Sequence, residues 1–172
     1  MGIKSLTQLI KLKSNNAIEH VPLSKLSGKR VAIDASLIMY QSLINIPTEY
    51  NGKDTGHIIG VYNKNINYLS NNITPIFVFD GIPPKYKSDL IQNRNKKAKE
   101  AKEKMNNSTC VREYQKNKKK SIRLTRQHIE DVKELLNYMG ISYIHPEYGE
   151  AEGIASELCR IKYVDYVISE DM

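Results

Sequence analysis

PIFVFDG, residues 75–81, places consecutive β-branched and aromatic residues between an Asn-rich turn and a glycine. Such a run predicts a strand buried on both faces, and it ends on an acid, Asp80. Three other stretches follow the same plan: VAIDAS at 31–36, SYIHPEYGEAE at 142–152 and YVISEDM at 166–172. Between them lie segments of helical character: 3–13, 37–46 (stopped by Pro47), 57–69, 88–104, 111–123, 125–139 and 151–162. In 57–69 the predicted apolar side carries Ile58, Val61, Tyr62 and Ile66; Thr125 is positioned to cap the helix that Gly140 ends. NGKDTG at 51–56 reads as a turn or loop. Strands alternating with helices predict an α/β fold, a parallel central sheet with helices on its flanks and right-handed crossovers.

In an open parallel sheet, ligands bind beyond the carboxyl ends of the strands. Asp34, Asp80, Glu150, Glu152 and Asp171 all stand at strand ends of this kind. Carboxylates pooled at one edge repel one another unless a cation lies among them. Oxygen donors without His or Cys partners favour Mg²⁺ or Mn²⁺ over zinc. An acid at a strand end also suits a turn or a helix cap, a sufficient explanation for any one of them taken alone. Glu150 and Glu152, two apart, share no face of a regular helix; they converge only if the chain is extended or just entering its helix, which Gly149 permits.

The 172 residues, with 40% hydrophobic and 26% charged content, suit a globular chain of about one domain. No apolar run reaches the roughly 18 residues of a membrane span, and MGIKSLTQLI is too polar for a secretion signal, so an intracellular protein is expected. Cys110 and Cys159 lie far apart and suggest neither a zinc site nor a disulfide framework. Charge is strongly uneven. Residues 85–126 hold 15 Lys and Arg against 4 Asp and Glu, a local +11 within a chain of net +7, which leaves the remainder at −4. A cationic segment of this density predicts a polyanionic partner such as nucleic acid, although a solvated Lys-rich helix pair has the same composition. The expected organisation is an N-terminal region over 1–84, a basic helical insertion over 85–126 and a further region over 127–172.

The chain resembles the flap endonuclease, or XPG-like, structure-specific nucleases. The resemblance is carried by MGIKSL, VAIDASLIMYQ, PIFVFDGIPPKYK, TRQHIEDVKELLNYMGISYIHPEYGEAE and VISEDM, collinear along essentially the whole sequence. It implies a PIN-like sheet, two Mg²⁺ ions (Mn²⁺ as a substitute) and cleavage of DNA near a junction of single and double strands, in replication and repair. It implies Asp34, Asp80 and Glu152 as ligands of the first ion, with Glu150 and Asp171 nearby, directly or through water. Lys87 and Arg94 match the catalytic basic pair at the foot of the family's helical gateway. Tyr40 matches an aromatic on which a base stacks, and Lys64 stands where a DNA-contacting Arg is usual. Gly2 matches an N-terminus lying beside the site, and Glu150 is expected to face DNA as well as metal. Residues 95–123 correspond to the arch through which a single-stranded 5′ end passes.

The sequence also departs from that pattern. Pro47 replaces a common Arg, and Ile82 replaces a basic residue. In the family the acid matching Asp171 is followed by two further metal ligands, a duplex-gripping helix–turn–helix and a sliding-clamp tail, and none is encoded before Met172. The expectation is either a fragment or a natural short form with an incomplete second metal site. A 5′-flap endonuclease and 5′–3′ exonuclease is the leading expectation. A non-catalytic DNA-binding remnant and an RNA-directed relative are the competing ones.

Overall fold

The computed structural model describes residues 5–14, 16–46 and 48–169. Its centre is a four-stranded, fully parallel sheet made of β1 (Arg30–Asp34), β4 (Thr74–Val78), β5 (Tyr143–Ile144) and β6 (Tyr166–Ile168), in the order β5-β4-β1-β6. The helices are α1 (Leu6–Lys13), α2 (Ala35–Asn45), α3 (Gly56–Ser70), α4 (Ser88–Asn106), α5 (Val111–Ser121), α6 (Arg126–Tyr138) and α7 (Ala151–Arg160). The expected α/β architecture is therefore present. The hydrophobic runs in β1 and β4 serve two cores because successive side chains point to opposite faces. Val31, Ile33, Phe77 and Phe79 join Ile38, Met39, Val61, Tyr68, Val132 and Leu136 on one side. Ala32, Ile76 and Val78 meet Ala151, Ala155 and Val164 on the other.

Two details differ from the expectation. NGKDTG is part of a hairpin: β2 (Glu49–Tyr50) pairs antiparallel with β3 (Lys53–Asp54) around Asn51 and Gly52, both at positive φ (51° and 75°). Two left-handed residues in a two-residue turn match the right-handed twist of paired strands. The second difference is the buried face of α3. Tyr62 and Ile66 are exposed, along with Ile59 and Leu69, whereas His57, Gly60, Val61, Asn65 and Tyr68 are buried. The cause is close contact with α2: a Cβ on Gly60 would overlap Ser42 Oγ, and one on Gly56 would overlap the Ile46 carbonyl. Small residues set that face, and His57 is accommodated by Asp131 Oδ2 at 3.2 Å from its Nε2. Gly60→Ala is expected to lower stability by about 1–3 kcal/mol, the range for overpacking a tight contact; the shift of the urea midpoint measures it.

α6 starts as predicted. Thr125 Oγ1 accepts from His128 N–H and His128 Nδ1 accepts from Thr125 N–H, each at 3.3 Å, a reciprocal cap. α4 and α5 pack against each other as a helical pair following the 3₁₀ turn Lys85–Lys87. Between them lies a groove of about 480 Å³ lined by Lys104, Asn107, Ser108, Glu113, Lys116, Asn117 and Lys120. Among the described residues no helix is long and apolar enough to cross a membrane.

Candidate functional site

The parallel register of β1 and β4 brings their carboxyl ends to the same edge, Asp34 opposite Val78. Asp34 ends its strand and caps α2, with Oδ1 accepting from Leu37 N–H at 3.1 Å. Asp80 lies two residues beyond β4, and its Oδ1 accepts from Ala151 N–H at 2.9 Å, at the N-terminus of α7. That contact ties the end of β4 to the start of the GEAE segment. Glu150 is the N-cap of α7 in extended conformation (φ −105°, ψ 145°), preceded by Gly149 at φ 101°, and Glu152 sits in the first turn. The two glutamates thus straddle a helix entry, as their spacing requires.

Burial pushes the Asp34 carboxyl above the usual aspartate range. The negative charges of Asp80 and Glu152 push the same way, against the Leu37 N–H, which favours the ionised form. Asp80 and Glu152 are therefore electrostatic neighbours of Asp34. An acid whose folded-state pKa is raised takes up protons on folding, so its stability cost is absent at acid pH and grows as pH rises from about 3.8 through the raised value. Asp34→Asn keeps an oxygen able to cap α2 and removes that charge. It is expected to stabilise the metal-free protein at pH 7 by about 0.5–2 kcal/mol, with the gain vanishing at acid pH; thermal melts at both pH values check it.

Positive charge faces this edge from the turn before α4. Lys87 Nζ donates to Glu150 Oε1 at 2.5 Å, and the Glu150 carboxylate holds the lysine ammonium above its usual range. Arg94, in the second turn of α4, reaches the same place. A cleft of about 270 Å³ is lined by Asp80, Gly81, Pro83, Lys87, Leu90, Ile91, Arg94 and Glu150. Four of the residues singled out from sequence thus share one concave surface with an apolar wall. Tyr40 on α2 and Lys64 on α3 are both half-buried and do not line that cleft. Gly2, Pro47 and Asp171 fall outside the described residues.

The donor chemistry of the edge suits a hard divalent cation: carboxylate oxygens, in excess, repelling one another. It is not a ready-made nest, because among the described residues no three Asp, Glu, His or Cys side chains converge tightly enough to hold one ion. One residue at this edge was not singled out from sequence. His145 Nε2 lies 3.1 Å from the Asp80 carbonyl oxygen. Its signal was an imidazole immediately after the strand that pairs with β4.

Comparison with known proteins gives a consistent answer. The chain is 37% identical over 182 residues to Flap endonuclease 1 of Scheffersomyces stipitis, covering 100% of this chain and 48% of that protein. It is 33% identical over 183 residues to Flap endonuclease 1 of Enterocytozoon bieneusi, covering 100% of this chain and 50% of that one. The chain thus spans about half the length of these relatives. Among solved structures, the catalytic core of Rad2 in complex with DNA substrate superposes with a TM-score of 0.70 at 29% identity, over 99% of this chain and 45% of that one. Residues 1–101 match the XPG N-terminal domain, and with a parallel α/β sheet that gathers its acids at one edge, the chain belongs to that family of structure-specific nucleases.

Proposed function

We propose that this chain carries the catalytic half-site of a divalent-metal-dependent 5′-flap endonuclease and 5′–3′ exonuclease acting on DNA in replication and repair. The observation that carries the reading is the buried Asp34 carboxyl at the sheet edge, on which the charges of Asp80 and Glu152 also act, beside a cleft holding Asp80, Glu150, Lys87 and Arg94. Asp34, Asp80, Glu150 and Glu152 would hold the metal, Mg²⁺ or Mn²⁺, with Asp171 as a further ligand. When bound, two such ions supply an activated water and neutralise charge on the phosphodiester and on the departing oxygen.

The protein's own groups do the rest. Lys87 and Arg94 bind the scissile phosphate and stabilise charge as it develops there. Pro83, Leu90 and Ile91 give the cleft an apolar wall against which a sugar or base edge can lie. The helical pair α4–α5, within the insertion proposed over 85–126, draws a single-stranded 5′ end by its phosphates without reading sequence. Tyr40 stacks on a base and Lys64 contacts the duplex backbone, and Gly2, outside the described residues, is a further proposed DNA contact. A second reading, a DNA-binding remnant without turnover, rests on the cationic α4–α5 pair, whose attraction for phosphates needs no complete metal site.

Gel analysis of a labelled 5′-flap duplex, a blunt duplex and an RNA hairpin, each with Mg²⁺, separates these readings. The nuclease reading expects incision near the flap junction, slower release from the 5′ end of the blunt duplex and little on the RNA hairpin. Salt-sensitive binding without product would support the remnant, and faster RNA cleavage would overturn the DNA assignment.

A further inference from the structure

We propose that His145 is a positioning residue for Asp80, an inference that rests on the metal-site reading above. On one side of Asp80, Phe79 N–H donates to the Ile144 carbonyl at 2.8 Å, in line with the β4–β5 ladder. On the other side the two chains meet again. Gly81 N–H donates to the Gly149 carbonyl and Ile82 N–H to the Glu147 carbonyl, both at 2.9 Å. Between these contacts residues 146–148 stay close to Gly81, where a Cβ would overlap the Pro146 carbonyl oxygen. Among the described residues no main-chain N–H then donates to the Asp80 carbonyl.

His145 fills that gap, with Nε2 3.1 Å from the carbonyl oxygen. A carbonyl only accepts, so the geometry assigns the proton to Nε2. The ring also lies against Phe79, with centroids 5.7 Å apart and planes tilted by 46°, and Phe79 is fully buried. The imidazole, itself exposed, thus rests against one buried ring while it holds the main chain of a surface acid. Asp80 is thereby tied twice: its carbonyl to His145 and its Oδ1 to Ala151 N–H. Two ties on one residue fix both the backbone and the carboxylate, which leaves Oδ2 directed by the scaffold rather than by a free rotor. Metal affinity depends on that orientation, and removal of groups that orient a ligand costs about 10–100-fold.

The test is Mn²⁺ binding to the full-length protein, measured by calorimetry and by the spin resonance of free Mn²⁺, with no dependence on turnover. His145→Phe keeps a ring against Phe79 and loses the donor; His145→Gln keeps an N–H donor and loses the ring. The expected result is Mn²⁺ affinity about tenfold weaker for His145→Phe and near wild type for His145→Gln. The reverse order, Phe normal and Gln impaired, would mean that the ring only packs and would overturn the proposal. Should His145→Phe fail to fold, Gln decides alone: wild-type affinity supports the proposal, a tenfold loss overturns it. Asp80→Asn separates the two levels of the argument. If it binds Mn²⁺ like wild type, the metal-site reading itself fails. If it loses Mn²⁺ while His145→Phe does not, only the role of His145 fails.

Discussion

Asp80→Asn is expected to abolish metal-dependent DNA cleavage while leaving the fold intact. The substitution is nearly isosteric, and an amide oxygen can still accept from Ala151 N–H, the bond that ties β4 to α7. What disappears is one negative charge among the acids that burden Asp34. If the edge stabilises the reaction through bound cations, losing one ligand forfeits several kcal/mol of that stabilisation, on the order of 10³-fold in rate. Thermal unfolding distinguishes this from collapse, since removing a repulsive charge leaves the metal-free midpoint equal or higher. A variant that still cleaves within tenfold of wild type would remove Asp80 from the chemistry.

Lys87→Ala comes next in size. The Lys87–Glu150 pair has both side chains about one-third exposed (35% and 34%), and pairs of that kind contribute little to stability, about 0–1 kcal/mol. Its catalytic weight is expected to be much larger, because an ammonium in the cleft meets a phosphate as its charge redistributes. Loss of one donor of this kind typically costs about 10²–10³ in turnover. The expected outcome is therefore a large fall in single-turnover rate with an unchanged melting temperature. Lys87→Arg restores charge but not the compact ammonium, so partial recovery is expected. Equal rates for wild type and Lys87→Ala would show that the lysine serves only as the partner of Glu150.

The sheet and its acids could be read because their signals are local. Residues 75–79 are apolar on both faces since β4 lies between β1 and β5 and serves two cores, and Asp34 and Asp80 mark where those cores end. Thr125 could be read as a cap because its partner lies three residues ahead. The orientation of α3 could not, because it is decided by a neighbour. Gly60 against Ser42 brings α2 close, and the buried face then combines Val61 and Tyr68 with glycine, His57 and Asn65. Periodicity counts hydrophobic residues, and here several of them lie outside: Ile59, Tyr62, Ile66 and Leu69 are all exposed. The role of His145 could not be read from its position after a strand, for a related reason. Its role comes from a missing main-chain donor opposite Asp80, and only the paired strands reveal that gap. The pairing of Lys87 with Glu150, 63 residues apart, likewise depends on how the turn before α4 meets the start of α7.

The central claim is that surplus carboxylate charge at the sheet edge exists to hold divalent cations that act on a phosphodiester. The most direct measurement is the single-turnover cleavage rate of a 5′-flap duplex by the full-length protein as Mg²⁺ is titrated from a chelated start. The expected result is no product in chelator, a rate that rises with Mg²⁺ to a plateau, and full recovery with Mn²⁺. Cleavage that persists in chelator, or no cleavage at any Mg²⁺ concentration, would contradict it.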